Sequence, residues 1–225
     1  MRNLTLIIPT KEEVESLPVF LNELKKYNCA KKIVLQKEDH LTLESIKNFE
    51  DLEILVQKNS GYGSALIEGI NSVTTDYCCI INADGSMNPE YLHTMLSNCS
   101  DKDLVFTSRY QKPGGGSDDD DLVTFIGNKI FSFIGNLFFN LNISDILFTF
   151  ILGKTESFKK LNLKNSDFRI CVELPIKAKY LNMKYVTLPS YERSRIGGKK
   201  KVNAIKDGLL ILIEMLKLFL IKKKV

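Results

Sequence analysis

The feature that most constrains this chain is an alternation, through its first half, of short apolar runs with segments of helical spacing. Residues 4–8 make one strand-length apolar run, and Val14, Leu17, Phe20, Leu21 and Leu24 then recur at the spacing of a helix face. Further apolar runs fall at 33–35, 54–56, 77–81, 104–107 and 185–188, with helical patterns over 64–73 and 89–96. Asn88, ahead of Pro89 and Glu90, is a good N-cap with proline at the first helical position. This order predicts an α/β fold with a mostly parallel, doubly wound sheet. Ligands of such sheets gather beyond the carboxyl ends of the strands. Pro9 to Glu12, Asn82 to Ser86 and Ser108 with Arg109 fall at such ends.

The chain has 225 residues, 44% hydrophobic and 26% charged, enough for a sizeable core and too apolar for disorder. One domain over 1–201 is expected, followed by an amphipathic helix over 202–225 that associates with a membrane or packs on the sheet or a second subunit. Residues 111–122 read as a Gly- and Asp-rich loop. The aromatic segment that follows, from Phe125 to Phe139, reads as one or two helices that pack on the sheet or rest on a membrane. A helix near 168–180 precedes the last strand. The apolar stretch 208–221 is interrupted by Glu214 and Lys217, too short and too charged for a confident span.

Five cysteines without a CxxC spacing, several in apolar runs, point to a reducing compartment and against disulfides or zinc. No leader is expected, because the first apolar run is only strand length. The net charge of +4 is modest, but cations cluster at Arg193, Arg195, 199–201 and 222–224, as suits phosphate ligands or an anionic membrane. Few aromatics interleave with them, so nucleic acid is not expected as a partner.

Three stretches could carry chemistry. "NSGYGSALIEG" (59–69) follows a strand and opens a helix, so Gly61 and Gly63 could bring backbone amides to a phosphate. A dinucleotide fingerprint is disfavoured, since Leu66 stands in the place of the third glycine. "NADGS" (82–86) offers Asp84 as a hard ligand for a divalent cation, with only neutral oxygens from Asn82 and Ser86. Taken alone it reads equally as a strand-end turn. "SRY" (108–110) and "ERSRIGGKKK" (192–201) put arginines and lysines around a Gly-Gly hinge, as in a loop that closes over an anion.

Together with "LTLIIPTKEEVESL" (4–17), "INADGSMNPEYL" (81–92), "TSRY" (107–110), "SDILF" (144–148) and the run 172–201, these motifs resemble the family-2 glycosyltransferases of the GT-A fold. The similarity is to the branch near dolichyl-phosphate mannose synthase, and it covers nearly the whole chain.

The resemblance implies a metal-dependent, inverting transfer of a sugar from a nucleoside diphosphate sugar to a polyprenyl phosphate. Mg²⁺ or Mn²⁺ would sit at Asp84, with Asn82 and Ser86 beside it. Pro9, Lys11 and Glu12 would flank the nucleotide, together with Gly61, Gly63 and Lys199. Arg109, Arg193 and Arg195 match cations near donor or acceptor phosphate, Asp145 an acceptor-side acid, and Glu173 a recurrent helical acid. The family's paired aspartates after the second strand are replaced by 35–39, LQKED, and its Gly-aromatic-Arg after the acceptor-side acid by Thr149, Phe150 and Ile151.

A phosphate monoester is largely dianionic near neutrality and needs no dedicated base. One alternative is transfer to a hydroxyl of a glycan or lipid, which needs a general base, with Asp145 the best candidate. Another is a non-catalytic membrane-surface subunit. The lipid acceptor implies a cytoplasmic protein peripheral on the membrane. Sugar, base and oligomeric state are left open.

Overall fold

The computed structural model describes residues 1–198 and 201–222. Its strands and helices follow in the order β1 (Leu4–Pro9), α1 (Ser16–Leu24), β2 (Ala30–Leu35), α2 (His40–Ser45), β3 (Glu53–Val56), α3 (Tyr62–Ser72), β4 (Tyr77–Ile80), α4 (Leu92–Asn98) and β5 (Leu104–Ser108). After these come β6 (Gly116–Ser117), α5 (Leu122–Phe139), β7 (Ile151–Lys154), α6 (Thr155–Lys160), α7 (Ile170–Tyr180), β8 (Tyr185–Pro189), β9 (Tyr191–Glu192) and α8 (Ala204–Lys222). The main sheet runs β3-β2-β1-β4-β7-β5-β8. All its pairings are parallel except those of β7, which is antiparallel to both β4 and β5.

The inner strands β1 and β4 read as nearly continuous apolar runs because helices cover both faces. Ile7, Val34, Cys78, Ile80, Leu104 and Phe106 point into one core, while Leu6, Ile8, Ile33, Cys79 and Val105 point into the other. The first core is closed by α3, α5, α7 and α8; the second by α1 and α4. Asn88 caps the 3-10 turn Pro89–Tyr91 ahead of α4, its Oδ1 accepting from Glu90 N at 3.0 Å. All six strand-length runs are strands. β7 has no counterpart among them, and it inserts between β4 and β5.

The apolar segment after 122 is one continuous helix, and its orientation inverts the usual pattern. α5 buries Asn128, Ser132 and Gly135, while Leu122 (72% exposed) and Phe133 (64%) face outward. Its polar face substitutes for a strand edge. Asn128 Oδ1 accepts from Leu147 N, Ser132 Oγ from Ile146 N, and Asn136 bonds both Ile143 N and Ile143 O at 2.9 Å. These bonds satisfy an irregular backbone that would otherwise be buried without partners. α8 docks beside α5 through Ile211, Met215 and Leu218, and Leu218 O accepts from Tyr180 of α7 at 2.9 Å. Its other face, with Ile205 (86%) and Leu209 (61%), stays exposed.

Candidate functional site

A cleft of about 560 Å³ lies beyond the carboxyl ends of β1 to β5. Its size suits a small-molecule ligand. One wall comes from strand ends: Pro9, Lys11, Gln36, Gly61, Asn82 and Asp84. The lining continues with Arg109, directly after β5, and with Asp119, Asp120, Glu192, Arg195 and Lys201 from the loops 111–121 and 192–203. Thr124 and the buried Asn128 of α5, and Lys206 and Asp207 of α8, also line the cleft.

Asp84 is buried at the end of β4. Its Oδ1 accepts from the Ser86 backbone N (3.1 Å) and from Ser86 Oγ (2.9 Å). Ser86 does not line the cleft, so it orients Asp84 and is no ligand. Asn82 lines the cleft, but its Oδ1 already accepts from Tyr62 Oη at 3.2 Å. Asp84 Oδ2 is reached among the described residues only by Arg195 Nη1, at 3.7 Å. Among the described residues no group of three acidic, histidine or cysteine side chains gathers for a metal. What remains fits a divalent cation held by one carboxylate, its other ligands being water and phosphate oxygens.

The glycine turn is not a phosphate cradle at Gly63. A Cβ there would lie 2.1 Å from Asn165 O, and one on Gly61 (φ +113°) 2.2 Å from Ser166 O. Ser64 N donates to Ser166 O at 3.1 Å. These glycines admit the close approach of the 165–167 backbone, a role glycine serves as readily as ligand binding. Gly61 still lines the cleft; Gly63 does not. Glu173 holds that segment in place, accepting from Lys164 N, Asn165 N and Asn165 Nδ2, each at 2.9 Å. It is a structural acid.

At the start of the first loop, Pro9 and Lys11 line the cleft as expected, but Glu12 does not. Glu12 has left-handed backbone (φ 53°), and its N donates to Asp39 Oδ2 at 2.7 Å. That turn brings Glu13 into the cleft wall instead. Glu13 is buried, accepts from Ser16 Oγ at 2.5 Å and pairs with Lys201.

The three arginines singled out by the sequence are already matched by acids. Arg109 bonds Asp145 through Nε (2.8 Å) and Nη2 (2.9 Å), and Glu192 through Nη1 (3.0 Å), with its plane over the Phe148 ring. Asp145 also accepts from Arg109 N and from Asn128 Nδ2, and its side chain is fully buried. It does not reach the cleft, so it cannot serve as the general base of a hydroxyl acceptor. Arg193 also turns away, gripping Glu23 at 2.9 and 3.0 Å and Gly85 O at 2.7 Å. Arg195 does face the cleft, held by Asp119 at 2.7 and 3.2 Å. Lys199 lies outside the described residues.

The cationic loop is laid over the strand end by backbone bonds, Arg193 N to Ser86 O and Ile196 N to Asp84 O, both 2.8 Å. Burial pushes the Glu192 carboxyl above the usual range, with Arg109 opposing.

Sequence reasoning missed Glu13, Tyr62, Asp119, Asp120, Glu192 and, in α8, Lys206 and Asp207. The i, i+4, i+8 series Asn128, Ser132, Asn136 was a legible sign that the polar side of α5 faces inward.

The profile of Glycosyl transferase family 2 matches residues 5–162. Uncharacterized glycosyltransferases of Mycobacterium tuberculosis and Mycobacterium bovis are each 25% identical over 209 residues, covering 93% of this chain and 94% of theirs. Among solved structures, glucosyl-3-phosphoglycerate synthase from M. tuberculosis, in complex with Mn²⁺, UDP-glucose and phosphoglyceric acid, superposes with a TM-score of 0.73. It is 11% identical, covering 97% of this chain and 80% of that one. Mannosyl-3-phosphoglycerate synthase from Rubrobacter xylanophilus gives 0.67 at 14% identity, covering 98% and 74%. These structures establish the GT-A fold. The chain belongs to glycosyltransferase family 2, and it is an enzyme of that family.

Proposed function

We propose that this family 2 glycosyltransferase moves a sugar from a nucleoside diphosphate sugar to a polyprenyl phosphate, as in the branch near dolichyl-phosphate mannose synthase. The observation that carries this reading is that the starts of α5 and α8 line the cleft, through Thr124, Lys206 and Asp207, while neighbouring side chains of the same helices, Leu122, Val123 and Ile126 with Ile205 and Leu209, are exposed and apolar. A phosphate in this part of the cleft would sit beside Lys206, with a hydrocarbon tail continuing along those apolar side chains.

The same surface supports a peripheral position on a membrane, with α5 and α8 lying in the interface. α5 is long and apolar enough to span by length and composition. Its face with Asn128, Ser132 and Asn136 is tied to the loop at 143–147, which keeps it against the domain. Residues 1–201 form the catalytic unit in this reading, and α8 is its membrane-facing element.

Donor diphosphate would lie beyond β4, at Asp84. A bound Mg²⁺ or Mn²⁺, as in the neighbouring synthase complexes with Mn²⁺ or Mg²⁺, would neutralise charge on the leaving diphosphate. Arg195, whose Nη1 lies 3.7 Å from Asp84 Oδ2, and Lys201 add positive charge to the cleft. The acceptor phosphate oxygen displaces the diphosphate in line, with inversion. The new C–O bond forms as the old one breaks, and the dianionic nucleophile has no proton to lose. Burial of Asp145 agrees with a mechanism that uses no base there.

A second reading takes its acceptor from the structural neighbours, whose complexes hold phosphoglyceric acid. That acceptor also carries a phosphate, but it offers a free hydroxyl as the nucleophile, which needs a base, and it leaves the apolar faces without a role.

The test supplies nucleotide sugars with polyprenyl phosphate in vesicles, its methyl ester, or 3-phosphoglycerate. Transfer to the free polyprenyl phosphate alone is expected, falling at least about 100-fold in Asp84→Ala. Transfer to 3-phosphoglycerate alone would establish the second reading, and transfer to the methyl ester, a phosphodiester with a single charge, would overturn the requirement for a dianionic nucleophile.

A further inference from the structure

Asn82 stands in the cleft with its amide already oriented. Tyr62 Oη is 3.2 Å from Asn82 Oδ1 and 2.7 Å from Thr149 Oγ1. A phenol has one proton to give, and an amide oxygen can only accept. If Tyr62 gave its proton to Thr149, two lone pairs would face each other between Tyr62 and Asn82. The chain therefore runs one way: Thr149 donates to Tyr62, and Tyr62 donates to Asn82 Oδ1.

The relay is held firmly. Thr149 is buried, and the Tyr62 ring stacks on Phe168 at 5.1 Å between centroids and 22° between planes. Burial pushes the Tyr62 phenol well up, so it keeps its proton at any physiological pH. Asn82 Nδ2 has no partner among the described residues, and Asn82 lines the cleft beside Asp84.

We propose that Asn82 meets the donor as a hydrogen-bond donor, its amide N–H groups turned to a diphosphate or sugar oxygen, with Tyr62 and Thr149 as its positioning residues. This rests on the nucleotide-sugar reading above. It assigns the cation to Asp84 alone and gives Asn82 the anion. An aspartate at the same place would present negative charge to the diphosphate and would need a cation between them.

The experiment measures UDP and GDP binding by calorimetry, in excess Mn²⁺ and again in EDTA. Mn²⁺ binding to nucleotide-free protein is followed by electron paramagnetic resonance. The variants are Asn82→Ala, Tyr62→Phe, Thr149→Val and the Tyr62→Phe/Asn82→Ala double, each checked for fold by circular dichroism. Asn82→Ala is expected to weaken nucleotide binding about tenfold, as for a hydrogen bond to a charged group, by the same factor with and without Mn²⁺. Tyr62→Phe should cost about threefold, Thr149→Val less, and the double no more than Asn82→Ala alone.

Mn²⁺ affinity without nucleotide should be unchanged in Asn82→Ala. A loss of Mn²⁺ affinity there, or a nucleotide effect that vanishes in EDTA, would make Asn82 a metal ligand and overturn the proposal. Additive losses in the double variant would remove Tyr62 from the relay. Wild-type protein that binds neither nucleotide would overturn the donor reading itself, irrespective of Asn82.

Discussion

The part of the cleft built from Pro9, Gln36, Gly61 and Asn82 rests on the ends of parallel strands, whereas the wall formed by the loops 111–121 and 192–203 rests on a sheet of two two-residue strands and a set of ion pairs. On the first, position follows from the backbone ladder, and even the glycines are fixed by backbone contact with 165–167. On the second, β6 pairs only Gly116 and Ser117 with Tyr191 and Glu192, and side chains do the rest. Asp145 and Glu192 hold Arg109, Asp119 holds Arg195, and Glu13 holds Lys201. A ladder needs no ligand to complete it. A cation held by an acid must be shared with, or surrendered to, an incoming phosphate, so this wall is the one that salt and charge variants should move.

The largest effect on that contrast is expected from Asp145→Asn. It leaves the buried Arg109 short of its bidentate partner, and breaking such a pair costs about 3–5 kcal/mol. Urea unfolding should register the loss, and the ligand-facing wall should loosen with it. A variant as stable as wild type would show that Glu192 alone suffices for Arg109.

The strand-end wall is probed next by Gly63→Ala. The added methyl meets Asn165 O at 2.1 Å, which forces backbone apart and should cost about 2 kcal/mol, within the range for overpacked sites. An unchanged midpoint in urea would mean that the 165–167 segment yields freely and that this wall is softer than its contacts indicate.

The smallest effect is expected from Asp119→Asn, which weakens the hold on Arg195 without removing the side chain that faces it. The pair is only partly buried, so its strength is about 0.2–1 kcal/mol, and nucleoside diphosphate binding should tighten up to about fivefold at low salt. The gain should fade at high salt as screening shortens the reach of both charges. Weaker binding would mean that Asp119 orients Arg195 for the phosphate instead of competing for it.

Legibility in the sequence followed the same division. Strand ends were readable because a buried parallel strand announces itself as an apolar run, and its carboxyl end then locates Pro9, Asn82, Asp84 and Arg109. Pairings between side chains distant in sequence left no local signature. Arg109 and Arg193 read as phosphate ligands because a cation in a loop looks the same whether its partner is a substrate or Glu192 or Glu23. Glu12 and Glu13 are adjacent acids, and only the left-handed backbone at Glu12 decides which of them faces the cleft. β7 escaped because Ile151 and Leu152 read no differently from the apolar residues before them.

By itself the sequence determined the class of fold, the six main strands with most of the longer helices between them, the strand-end location of the site and the family, since periodicity and motif spacing are local properties. Only the tertiary structure decided which acid answers which cation, that the glycines of 61–63 receive backbone, and that α5 turns its polar side inward. Each of these depends on groups brought together from opposite ends of the chain. Charge, hydrogen-bond capacity and shape are compensated across space, and a sequence fixes what a side chain can offer before it fixes what will be there to accept it.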